Sequence, residues 1–93
     1  MAREAARLVV EGRVQGVGYR WWAVETARRL GLEGWVRNRA DGSVEVLAIG
    51  PHEAIAQLEA SCGAGPAGAA VRAVRREAAT DDGSASFQQK ASA

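Results

Sequence analysis

The stretch Val9-Val10-Glu11-Gly12-Arg13-Val14-Gln15-Gly16-Val17-Gly18-Tyr19-Arg20 constrains this chain more than any other. It opens as an apolar run suited to a strand, breaks at Gln15-Gly16-Val17-Gly18, and passes through Tyr19-Arg20 into a helical pattern. A strand, a glycine-broken turn and a helix start together form an anion cradle. Glycines let consecutive backbone N–H groups converge, and the first helical turn adds unpaired donors and the positive end of its dipole. Arg20 stands where the loop becomes the helix, and its planar donor fork matches a pair of phosphate oxygens. Spacing alone leaves two readings open, a tight connection and a phosphate-binding loop. Two better-known loops are excluded at once. A Walker A loop needs Lys and then Ser or Thr after its last glycine, and a dinucleotide fingerprint needs a third glycine where Trp21 stands.

Beyond this stretch the chain alternates strand and helix patterns. Leu8 to Val14 reads as the first strand, with Leu8, Val10 and Val14 on one parity and Val9 on the other. Ala23, Ala27 and Leu30 fall at helical spacing, and Gly31 suits a left-handed cap, which predicts a helix over about 21–30. Trp21 and Trp22 cannot both face the core; one packs, and the other covers the helix surface or flanks the entrance to the loop. Trp35 to Asn38 and Ser43 to Ile49 read as strands joined by Arg39-Ala40-Asp41-Gly42, a hairpin signal. Pro51 suits the first position of a second helix, whose apolar stripe is Ala54, Ile55, Leu58 and Cys62. Cys62 then reads as a small core residue and His52 as a surface one. A fourth strand spans about 70–77, with a parity break between Val71 and Val74 that suggests a bulge. Arg72, Arg75 and Arg76 decorate it as solvated edge charges. The tail over 79–93 holds one large apolar side chain, Phe87, and either adds a fifth edge strand or stays disordered.

Strand–helix–strand–strand–helix–strand predicts an α+β, ferredoxin-like sandwich, an antiparallel sheet with both helices on one face. The whole of 1–93 is then one domain with an ordered core over about 6–78. In that topology the second strand climbs back to the loop's end of the sheet, which brings Asn38 beside Gln15 to Arg20. With 93 residues the chain has one core, burying roughly 60–70% of its unfolded surface. A net charge of +1 gives no strong attraction to nucleic acid or an acidic membrane. A single cysteine permits no internal disulfide, and no run reaches membrane-spanning length, so the expected setting is the cytoplasm.

With both stretches placed, the chain resembles the acylphosphatase family. The first motif is carried by Val10-x-Gly12-x-Val14-Gln15-Gly16-Val17-Gly18-Tyr19-Arg20, with Tyr19 where the family most often has Phe. The second is carried by Gly34-Trp35-Val36-Arg37-Asn38, followed by Gly42-x-Val44 and Gly50. The resemblance runs from about Leu8 to Val74; at the C-terminus Gln88-Gln89-Lys90 departs from the family's alternating apolar strand. It implies hydrolysis of a carboxyl–phosphate anhydride to a carboxylate and phosphate, without metal or cofactor. By analogy Gln15, Gly16, Val17, Gly18, Tyr19 and Arg20 bind the phosphoryl group, Arg20 pairs with its oxygens, and Asn38 places the attacking water. The partner is then a small acyl phosphate, with phosphate or sulfate as competing anions, and the protein acts as a monomer. Two rivals stand beside this reading. A nucleic-acid module on the same fold would show aromatics on its central strands, and 8–14 and 43–49 contain none. A non-catalytic domain that binds phosphate or carbamoyl phosphate would keep the loop but fail to turn over a simple acyl phosphate.

Overall fold

The computed structural model describes residues 3–93. The chain forms β1 (Glu4–Arg13), α1 (Tyr19–Arg29), β2 (Glu33–Asn38), β3 (Val44–Gly50), α2 (His52–Cys62), β4 (Ala70–Ala78) and β5 (Phe87–Gln89). The five strands make one sheet in the order β4-β1-β3-β2-β5. This is the ferredoxin-like arrangement that the alternation of patterns predicts, with an added edge strand.

Side-chain parity decides which face is buried. Ala6, Leu8 and Val10 of β1, Val14 just past its end, Val36 of β2 and Val44, Val46 and Ala48 of β3 share the core with both helices. From α1 come Tyr19, Ala23, Val24 and Ala27; from α2 come Ile55, Leu58 and Cys62. On the opposite face Leu47 lies between its register partners Arg7 and Trp35, and is nearly inaccessible. The Glu45 carboxylate on that face is held by Arg7 at 3.0 Å and Arg37 at 2.7 Å, so a buried charge there is doubly paired.

Three boundaries differ from the sequence expectation. β1 begins at Glu4, four residues before the apolar run: Glu4 and Ala5 pair with β3 alone, and from Ala6 onward β3 and β4 flank the strand on both sides and satisfy its backbone. α1 begins at Tyr19 and not at Trp21, and Pro51 caps α2 from outside instead of occupying its first turn. The parity break in β4 is real: Ala73 pairs with Glu11 and Val71 with Gly12, which leaves Arg72 as the extra residue.

The tail forms the edge strand and not a disordered end. β4 runs away from the loop, the chain crosses the far end of the sheet, and β5 climbs back. It therefore pairs parallel with β2, so the sheet is mixed and not wholly antiparallel. Arg3 to Asp81 at 2.9 Å and the Trp35 indole N–H to Asp82 at 3.2 Å fasten the crossing. Phe87 is the anchor, 1% exposed in the core. Past β5 the N–H of Lys90 donates to the Val36 carbonyl and that of Ala93 to the Asn38 carbonyl, which carries the tail up to the loop's end of the sheet.

Candidate active site

Gly16 and Gly18 give the loop its shape. Their φ angles, 75° and 78°, lie in the left-handed region, where a side chain is strained. A Cβ at either position would meet nothing within 4 Å, so the requirement is conformational and the space before the loop is open. Gly18 is also the N-cap of α1, and no side chain caps that end. The first intrahelical bond runs from the Trp22 N–H to the Gly18 carbonyl at 3.0 Å. The N–H groups of Tyr19, Arg20 and Trp21 therefore have no helical acceptor, and no acidic residue sits in the first turn. The positive end of α1 is bare.

The side chains around it divide into those that build the loop and those that face open space. Gln15 donates through Nε2 to the carbonyls of Arg39, at 2.8 Å, and Ser43, at 2.9 Å, which ties the loop to the β2–β3 turn. Asp41 secures that turn, accepting from the Ser43 N–H and hydroxyl; these two bonds hold its carboxyl below the usual range. Tyr19 is buried. Its hydroxyl donates to the Cys62 carbonyl at 2.8 Å, and its ring meets Trp22 edge-on, 5.2 Å between centroids. Burial, with the Cys62 contacts adding to it, pushes the phenol far above its ordinary range, so it stays a neutral donor that pins the start of α1 to the end of α2. Burial likewise pushes the Cys62 thiol up to about 11, which leaves no thiolate for chemistry near neutrality.

Arg20 and Asn38 face open space. They line one cavity of about 150 Å³ together with Gly16 and Gly18. That is well above the roughly 10–15 Å³ that a single water needs on the same measure, so the cavity has room for more than a water. Val14, Tyr19, Trp21 and Gln89 complete the lining; Gln15 and Val17 do not reach it. Arg20 is half-buried and touches one protein acceptor, the Lys90 carbonyl at 3.5 Å. Among the described residues no carboxylate pairs with it. Asn38 ends β2 in register with Val44, its carbonyl accepting from the Ala93 N–H, while its side-chain amide bonds no protein group among the described residues. Sequence reasoning missed Gln89: its arrival depends on the parallel pairing of β5, which no local pattern announces.

Size alone does not choose the site. A larger cavity, about 220 Å³, lies between the β4 bulge and the hairpin turn, but Glu11 and Asp41 line it alongside Arg72. Two carboxylates oppose a phosphate dianion there. His52 stands at the other end of the sheet, its ring 3.3 Å from Glu4. Among the described residues no group of three His, Cys, Asp or Glu side chains is placed to hold a metal ion, and no helix is long and apolar enough to cross a membrane.

Relatives carry the same framework. The acylphosphatase family model matches residues 6–89. An acylphosphatase of Nitrobacter hamburgensis is 56% identical over 68 residues, spanning 73% of this chain and 69% of that protein. The structure of an acylphosphatase from Coxiella burnetii superposes with a TM-score of 0.90 at 33% identity, covering 95% of this chain and 93% of the other. Full-length HypF, solved in a phosphate- and nucleotide-bound form, contains a segment with a TM-score of 0.90 that covers 98% of this chain but 12% of that one. At 18% identity, that likeness speaks to the fold alone. The family match spans nearly the whole described chain and includes both the glycine loop and the strand that ends in Asn38, so this chain belongs to the acylphosphatase family.

Proposed function

We propose that this chain hydrolyses acyl phosphates to a carboxylate and inorganic phosphate, with the 15–20 loop and Arg20 holding the phosphoryl group and Asn38 placing the water. One observation carries the reading: the bare N-terminus of α1, an arginine and a side-chain amide, the last two without a carboxylate or hydrogen-bond partner respectively among the described residues, open onto one cavity. The phosphoryl oxygens take the unsatisfied N–H groups of the first turn and the Arg20 fork. Gln15 and Tyr19 contribute through their side chains by fixing the loop, since both side-chain polar groups are already bonded elsewhere.

The chemistry suits this sparse set of groups. Water attacks phosphorus, the P–O bond to the acyl group breaks, and the electron pair leaves with a carboxylate. The conjugate acid of that leaving group has a pKa of about 4, so no general acid is needed to release it. The water's proton passes to phosphate oxygen or solvent. A loose phosphoryl transition state gains chiefly from alignment and from fixed positive dipoles on the equatorial oxygens. Loop N–H groups and Arg20 are such dipoles. A neutral amide at Asn38 orients a water without repelling the dianion.

Every proposed group comes from one chain, which supports action as a monomer, and a buried unpaired Cys62 supports the proposed cytoplasmic setting. Release of phosphate from acetyl phosphate, measured before and after exhaustive chelation, tests the proposal. Turnover that survives chelation is the expected result. Phosphate binding without turnover would make the chain a non-catalytic anion-binding domain.

A further inference from the structure

We infer that Trp21 reads the acyl half of the substrate and selects aromatic or extended apolar acyl groups over acetyl. This rests on the assignment of the loop cavity to acyl phosphates. Trp21 and Trp22 are neighbours with opposite fates. Trp22 packs edge-on against Tyr19 and joins the core, whereas Trp21 is 64% exposed, the large apolar side chain left in solvent among the described residues. An indole in water contributes little to folding. Its helical neighbours offer it no cover: Val24, one turn on, is turned into the core, and Glu25 is charged and exposed.

The position is what gives this exposure meaning. Trp21 follows Arg20 directly and lines the cavity that Arg20 and Asn38 share. The phosphoryl half is drawn inward by the N–H groups of the first turn, so the acyl substituent leaves through the mouth. The exposed side chains there are Trp21, from the helix, and Gln89, from β5. Of the two, the indole offers an apolar face, and a ring or long chain on the substrate covers it while a methyl group does not. An aromatic pair of this kind changes binding by about 3- to 10-fold.

The test compares kcat/KM for benzoyl phosphate and acetyl phosphate in the wild type, Trp21→Ala and Trp21→Phe. The benzoyl-to-acetyl ratio should fall about 3- to 10-fold in Trp21→Ala, chiefly through KM, and Trp21→Phe should recover most of it. An unchanged ratio in Trp21→Ala, with both substrates still turned over, would overturn the role of Trp21 and leave the site intact. Failure of the wild type to hydrolyse either substrate would instead remove the reading of the cavity on which the inference stands.

Discussion

The two helices of this fold begin with the same deficiency and resolve it differently. Neither α1 nor α2 has a side chain that caps its N-terminus. In α2 the first turn carries Glu53, so its positive end meets a carboxylate of its own, a contact of about 0.3–1 kcal/mol. In α1 the first turn holds no acid; the cap is a left-handed glycine, and the charge present is Arg20. A helix end answered from within the chain adds stability. One left open, with an arginine added, attracts an anion. The helices also rest on different ground. α2 packs on β1, β3 and β4, while α1 reaches over β2 to the short edge strand β5, where Arg28 Nε donates to the Phe87 carbonyl at 3.1 Å.

The contrast can be broken most severely at Arg20. Arg20→Ala should lower kcat/KM on the order of 10³-fold or more and abolish inhibition by phosphate, because the α1 cradle then keeps only dipoles. Lysine should rescue poorly, since a point charge lacks the bidentate fork. Steady-state kinetics with phosphate as inhibitor reads both effects.

Phe87→Ala probes the ground under α1. Truncating a side chain this buried should cost about 3–5 kcal/mol in a denaturant or thermal melt. Amide hydrogen exchange in that variant should show α1 losing protection before α2. Equal losses in both helices would mean that β5 supports the core as a whole.

Asn38→Ala should separate orientation from binding. Inhibition by phosphate should persist at similar concentration, while kcat falls on the order of 10²-fold. Asn38→Asp should weaken phosphate binding as well, since the new carboxylate faces a dianion. Protonating that carboxylate removes the repulsion, so affinity should return as the pH is lowered through its pKa. The smallest change is expected at the other helix: Glu53→Gln should lower stability by about 0.3–1 kcal/mol and leave turnover unaltered.

The parts of this molecule that repeat a local rule were readable from the chain. Apolar parity marked Leu8, Val10 and Val14 as core, the Asp41-Gly42 turn marked the hairpin, and glycine spacing marked the loop. The strand order then brought Asn38 to Arg20. What was not readable depends on distant partners. Glu4 to Arg7, a charged side chain at either end with two alanines between, become strand only because β3, and from Ala6 onward also β4, pairs with them. A three-residue strand with one apolar side chain cannot declare that it will run parallel to β2. Membership of the loop likewise says nothing of where a side chain turns. Gln15 bonds the hairpin and Tyr19 the end of α2, and neither contact has a signature at its own position.

An anion should bind at the open N-terminus of α1 and not at its counterpart on α2. Titration of the ¹⁵N-labelled protein with inorganic phosphate, followed through backbone amide shifts, tests it most directly. Saturable shifts should appear at Gly16 through Trp21 and at the Asn38 side-chain amide, leave His52 through Ile55 still, and vanish from the loop in Arg20→Ala. Shifts centred on the start of α2 or on the Glu11–Arg72 cavity, or loop shifts that survive loss of Arg20, would contradict it.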